Sequence, residues 1–302
     1  MALAEALAHE GDRMIPVTAA GTRRSIGDIL VAAGRLSRAD ASLISEHQKE
    51  QQLQFGDSAI ALKLLTKDDI DFALAAQFDY TYLGREDTSL STDLVAAYKP
   101  FSAVVENLRA VRSQLMLRWF NSDPLRKVLA IVSPAKGDGR SFISANLAIV
   151  FSQQGQRTLL VDADLRASSG AGQQAYFRLG RSAGLSTILA GRANLEESTV
   201  QVPSLPGLTV LLTGTVPPNP QELLGRPEFG QLLGKAVQQF DVVIIDTPAG
   251  DDYADAEITS ARAGAALMLA RTNRTRLPKL SLLGRRLQEG GVTLVGSVLN
   301  DG

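Results

Sequence analysis

The sequence predicts an α/β protein: a parallel β-sheet with helices on both faces, preceded by a small helical repeat domain. Three observations carry this. From Lys127 onward, apolar runs of strand length alternate with segments of helical period. Those runs are continuously apolar, the pattern of strands covered on both faces. Before residue 80 the sequence repeats itself, and each copy carries a helical pattern.

The repeat comes first along the chain. Residues 25–48 realign with 54–77 at an offset of 29: Gly27-Asp28 falls on Gly56-Asp57, Leu36 on Leu65, Asp40 on Asp69 and Gln48 on Gln77. Each copy has a Ser/Thr-x-x-Asp cap, Ser37/Asp40 and Thr66/Asp69, ahead of a helical run. Two helix-turn-helix units are expected, closing at "FDYTYL" (78–83). The polar stretch "GREDTSLSTD" then reads as a linker. The expected organisation is a repeat domain over 1–83, a linker over 84–98 and the α/β domain over 99–302.

The stretch "SAVVENLRAVRSQLMLRWF" (102–120) places Val104, Val105, Leu108, Val111, Leu115 and Trp119 at helical spacing. Its Glu106, Arg109 and Arg112 lie three apart and share one face, which on pattern alone is a solvated charged stripe. Strands are expected over 128–133, 157–164, 208–214, 240–248, 264–271 and 292–300. In such folds ligands bind beyond the C-terminal strand ends, and three of those ends carry chemistry.

The first strand runs into "SPAKGDGRS", the second ends in Asp162-Ala-Asp164-Leu-Arg166, and a third ends in Asp246-Thr-Pro248. Gly137 and Gly139 allow successive backbone N–H groups to turn towards a phosphate at the start of a helix. The Ser141 hydroxyl is placed to ligate Mg²⁺. Carboxylates at the other two ends can hold that ion and its waters, and one can accept a hydroxyl proton. A P-loop carries lysine where this chain has Arg140, a planar fork in place of a flexible point charge. Arginine still donates to phosphate oxygens.

Composition narrows the field. A net charge of −1 gives no electrostatic sign of a nucleic-acid partner. There are no cysteines, and the two histidines, His9 and His47, lie near the N-terminus, which leaves no Cys- or His-based catalytic or metal set. The first residues lack a basic start and a long apolar run, so no signal peptide is expected. The apolar run "AGAALMLA" falls well short of the ~20 residues a membrane span needs. A cytoplasmic protein is expected, one that reaches a membrane through a partner.

"SPAKGDGRS", "LLVDADLR" and "VIIDTP" resemble the Walker A, Walker A′ and Walker B motifs of the bacterial tyrosine kinases, P-loop proteins allied to the MinD and ParA ATPases. "GLSTILAG", "GTVPPNPQELL" and the closing "GSVLND" are similar too, so the resemblance covers roughly residues 99–301. Within the family the chain most resembles the tyrosine autokinases encoded beside exosortase A systems, which share the N-terminal repeat and the arginine in the loop. The resemblance implies that Gly137, Asp138, Gly139, Arg140, Ser141 and Phe142 bind ATP, with Asn300 at the adenine. It implies Mg²⁺ at Ser141, Asp162 and Asp246, catalytic roles for Arg140, Asp162, Asp164 and Asp246, and a ring formed through Glu106, Arg109 and Arg112.

The implied activity is transfer of the ATP γ-phosphoryl group to tyrosine in control of exopolysaccharide chain length or export. The implied partner is a membrane-embedded chain-length protein at the inner face of the membrane. The sequence ends at "NDG" without a tyrosine cluster, so the expected acceptor is Tyr80, Tyr82, Tyr98, Tyr176, Tyr253 or a residue of another protein. An ATP-switched assembly factor that modifies no tyrosine is the alternative. The repeat domain resembles the N-terminal domain of type II secretion ATPases, some of which bind cyclic di-GMP. The arginine of that motif is replaced by Ser25 and Gln54, and the second-copy match of Gly34 is Lys63, which weighs towards a partner-docking role over cyclic di-GMP.

Overall fold

Ser25 opens the described chain as a helix cap: its hydroxyl accepts the Asp28 N–H while the Asp28 carboxylate accepts the Ser25 N–H, a reciprocal capping box. The computed structural model describes residues 25–77, 83–84, 87–168, 170–180 and 182–301. "FDYTYL" therefore lies, except for Leu83, outside the described residues, as do Tyr80 and Tyr82. The chain divides into two compact units, residues 1–78 and 79–302.

The first unit holds α1 (Ile26–Ala32), α2 (Arg38–Gln51), α3 (Phe55–Ala61) and α4 (Lys67–Gln77). The second pair repeats the first at the sequence offset, since α1 and α3 begin and end 29 residues apart. Thr66 and Asp69 cap α4 with the bonds expected of them. Leu30, Ile44, Ala59 and Ala73 are fully buried between the helices. After α1 the chain turns at Gly34 with φ +69°, and at the equivalent turn Lys63 takes φ +56°. A left-handed backbone is natural for glycine and strained for lysine.

The second unit contains α5 (Val95–Tyr98), α6 (Ala103–Arg118), a 3₁₀ turn (Phe120–Ser122), β1 (Val128–Val132), α7 (Arg140–Ser152) and β2 (Thr158–Asp162). It continues through α8 (Gln173–Phe177), α9 (Leu185–Leu189), α10 (Leu195–Ser198), β3 (Thr199–Gln201), β4 (Leu208–Leu211), α11 (Pro220–Gly225) and α12 (Pro227–Gln239). It ends with β5 (Val242–Asp246), α13 (Asp255–Ala263), β6 (Ala265–Arg271), α14 (Leu277–Glu289) and β7 (Thr293–Asn300). The strands form one sheet in the order β3-β4-β2-β5-β1-β6-β7. All neighbours pair in parallel except the short edge strand β3, which runs antiparallel to β4 and carries no sequence signal of its own.

Every residue of β1, β2 and β5 is buried. Alternate side chains feed opposite layers: Leu129 and Ile131 pack on the α6/α7 face, and Val128, Ala130 and Val132 on the α12/α13/α14 face. Helix α7 is buried along nearly its whole length, so the sheet alone cannot cover it. The second cover corrects the sequence reading of a linker over 84–98. Leu90, Leu94, Ala96, Ala97 and Tyr98 are core residues, and Asn146 of α7 accepts the Ala96 N–H at 2.9 Å and donates to the Asp93 carbonyl at 3.1 Å. Polar composition there marks only the outer surface of a packed segment. Among the described residues, no helix is long and apolar enough to cross a membrane.

Candidate active site

The strand order inserts β5 between β1 and β2, so the three chemical strand ends are immediate neighbours. Asp162 is paired directly with Asp246 in the β2–β5 ladder, and Ile131 of β1 with Asp246 on the other side. The loop after β1 leads into α7 with Gly139 as N-cap at φ +102°, a conformation that glycine permits without strain. A cavity of about 1250 Å³ opens over these ends; its walls include Gly137, Gly139, Ser141, Asp162, Asp164 and Asn300.

Both strand-end aspartates are buried, Asp246 completely. The Asp246 carboxylate accepts bonds from the Ser141 hydroxyl, from the Ser144 hydroxyl at 3.4 Å and from the Gln173 amide at 2.8 Å. Burial pushes its carboxyl up to about 6, against the opposing pull of those bonds and of Arg140. Asp162 is held by the N–H groups of Asp164 and Gln173, both at 3.2 Å. Burial first, and the neighbouring Asp246 second, push it well above the usual carboxylate range. Two adjacent buried acids resist ionising unless positive charge compensates them. Among the described residues no group of three or more His, Asp or Glu forms a metal cage. The oxygen donors of Asp162, Asp246 and Ser141 fit Mg²⁺ by their chemistry, since that ion takes one or two protein carboxylates and completes its shell with water and substrate phosphates.

Arg140 is buried at the start of α7 and grips its own loop. Its Nε donates to the Thr247 carbonyl at 2.8 Å, and Nη1 donates to the Ala135 carbonyl at 2.7 Å and to the Ser133 hydroxyl. Burial lowers its affinity for the proton, with Asp246, Asp164 and Asp138 opposing. The side chain thus ties the loop to the strand end carrying Asp246 through two separate nitrogens of one planar fork, a span that lysine's single nitrogen does not have. The first glycine of a G-x-x-x-x-G-K-[ST] loop is also replaced, by Pro134.

The Asp138 carboxylate is fully buried, accepting the Ala135 N–H and the Thr275 hydroxyl, both at 2.9 Å, so this side chain shapes the loop. Asn300 reaches the same loop and donates to the Asp138 carbonyl at 3.0 Å while lining the cavity. Phe142 lines the cavity and packs against the core. On α6, Arg109 pairs with the exposed Glu106 at 3.0 Å, whereas Arg112 leans inward and donates to the Val150 carbonyl at 3.1 Å. The three therefore do not form one solvated stripe.

The sequence reading missed several residues that complete the site. Gln173 is fully buried and is the residue that touches both acidic strand ends. Arg166 forms a two-pronged ion pair with the buried Asp255, at 2.6 and 3.1 Å, and its guanidinium lies 3.5 Å from the ring centre of Tyr253. Only the fold brings these segments together; Arg166 was visible in the motif, but Gln173 and Asp255 carry no local signal.

This geometry can be set beside known proteins. No family model matches the chain. It is 36% identical over 197 residues to the tyrosine-protein kinase ptk of Acinetobacter johnsonii, covering 65% of this chain and 26% of that protein. It is 31% identical to the tyrosine-protein kinase YwqD of Bacillus subtilis, covering 70% of this chain and 86% of YwqD. The kinase domain of the Escherichia coli tyrosine kinase ETK superposes with a TM-score of 0.65 at 33% identity, covering 72% of this chain and 82% of that domain.

The chain belongs to the bacterial tyrosine-protein kinases. It spans about a quarter of the length of the ptk relative. Within the bacterial tyrosine kinases, this chain combines an arginine at the loop's lysine position with an intact pair of strand-end aspartates.

Proposed function

We propose that the α/β unit transfers the γ-phosphoryl group of ATP to a tyrosine hydroxyl. The observation that carries this reading is the buried Asp162–Asp246 pair directly beneath the glycine loop, two carboxylates whose ionisation calls for a cation. The N–H groups of the loop and the first turn of α7 bind the phosphates. Ser141, Asp162 and Asp246 would hold Mg²⁺, which would supply positive charge against the phosphates of the nucleotide. Asp164, on the cavity wall, accepts the proton of the attacking hydroxyl. Arg140 keeps loop and strand end in register through its three acceptors.

The test is phosphotyrosine formation on a glutamate–tyrosine copolymer by the purified chain with ATP and Mg²⁺. Asp164→Asn is expected to lower the rate by about 100-fold or more, the usual contribution of a positioned base. An unchanged rate would remove Asp164 from that role. ATP-dependent assembly without any phosphotyrosine would favour the switch reading.

The wider setting follows the family resemblance: polymer chain-length control with a membrane-embedded partner, at the inner face of a membrane. The exposed Glu106 with Arg109 supports a contact between copies of the chain, Arg112 serving to seat α6 on α7. Sedimentation of Glu106→Arg, against the wild-type chain, tests that contact. In the repeat unit Arg35 is engaged by Asp69 at 3.0 Å and stacked on Phe72, which supports docking to a protein over nucleotide binding.

A further inference from the structure

We propose that Tyr253 is a phosphoryl acceptor of this chain's own active site; the proposal rests on the kinase reading and names its substrate residue. The loop between β5 and α13 leaves the sheet at Asp246 and carries Tyr253 to the wall of the same cavity that holds Gly139, Ser141 and Asp164. Tyr253 is 49% exposed there, so its phenol is reachable from within the cavity.

The other described tyrosines are poorly placed. Tyr98 is buried, and its hydroxyl donates to the Leu90 carbonyl at 3.0 Å and accepts the Leu90 N–H at 3.2 Å. Tyr176 also borders the cavity, but its ring is packed against the core, and burial pushes its phenol above the ordinary range. Tyr80 and Tyr82 lie outside the described residues.

Tyr253 is also held. Arg166 lies over its ring at 3.5 Å, and that guanidinium is itself fixed by the two-pronged pair with buried Asp255. A guanidinium over the ring face orients the phenol without engaging its oxygen. Arg166 follows Asp164 by two residues, so one short segment supplies both the proton acceptor and the ring's platform. In the transfer, Tyr253 Oη forms a bond to the γ-phosphorus of ATP as the bond from that phosphorus to the β–γ bridging oxygen breaks. The bond's electron pair leaves with ADP, and the phenolic proton passes to the Asp164 carboxylate. Because acceptor and loop line one cavity of one chain, the proposed step is transfer within a single molecule.

The experiment treats the full chain with phosphatase, removes the phosphatase, and adds ATP and Mg²⁺ with and without the copolymer. Peptide mass spectrometry then locates phosphate. Phosphate on Tyr253, accumulating at a rate per chain that does not change on dilution, is the expected result, and Tyr253→Phe should lose that phosphopeptide. Phosphate on the copolymer with none on Tyr253 overturns the proposal and leaves the kinase reading standing. A rate per chain that falls in proportion to dilution shows transfer between copies and overturns the unimolecular step. Phosphate on neither substrate overturns both readings.

Discussion

Replacing Asp246 with Asn should stabilise the α/β unit while abolishing its use of Mg²⁺. Asp246 is completely buried beside Asp162, and its carboxyl is raised from the usual 3.8 to about 6. A group whose folded pKa is raised favours the fold while protonated and loses that contribution as pH climbs through the folded value. Between 3.8 and about 6, at about 1.4 kcal/mol per pH unit, the ionised carboxylate costs the metal-free fold roughly 3 kcal/mol at pH 8. Asn keeps the shape and can accept from Gln173 while its amide faces the serine hydroxyls, so the variant should recover most of that cost. The assay is urea unfolding with chelator present, followed by the fluorescence of Trp119, the single tryptophan, which is buried in this unit. The gain should approach 3 kcal/mol at pH 8 and fade towards zero near pH 4. A variant no more stable than wild type at pH 8, with the same pH dependence, would refute the claim that this carboxylate is strained by burial. Such a gain at the expense of function is common where a site is built for a ligand.

Three further expectations follow. Lys63→Gly relieves the left-handed turn between α3 and α4 and should stabilise the repeat unit by about 0.5–1 kcal/mol, seen as slower amide hydrogen exchange in those helices. Leu94→Ala should cost about 2–5 kcal/mol in the Trp119 unfolding assay, because Leu94 is fully buried in the core; a true linker residue would cost nothing. Arg140→Lys gives up a fork bonded to Thr247, Ser133 and Ala135 and should destabilise the nucleotide-free unit by about 1–3 kcal/mol. An unchanged unfolding midpoint in that variant would show that these bonds contribute nothing to the fold.

Local pattern made much of this molecule legible. The repeat was visible because each copy reuses the same caps and the same apolar spacing, down to the turn where Lys63 stands for Gly34. Residues 84–98 misled because a segment can be polar on its outer side and still bury Leu90, Leu94 and Tyr98. Nothing local to the loop shows that the Asp138 carboxylate is bonded by Thr275, 137 residues away. The antiparallel edge strand β3 is three residues long, too short to show a period.

By itself, the sequence determined that a glycine loop and two acidic tips each stand at the end of an apolar strand, since strand period and turn chemistry are local properties. Only the tertiary structure decided that β5 lies between β1 and β2, and hence that Asp162 and Asp246 face each other under the loop. It also decided that burial makes them reluctant to ionise, that Gln173 joins them, and that Arg166 and Asp255 carry Tyr253 to the cavity wall. Strand order, burial and contacts between distant segments arise from packing the whole sheet, and no window of sequence contains them.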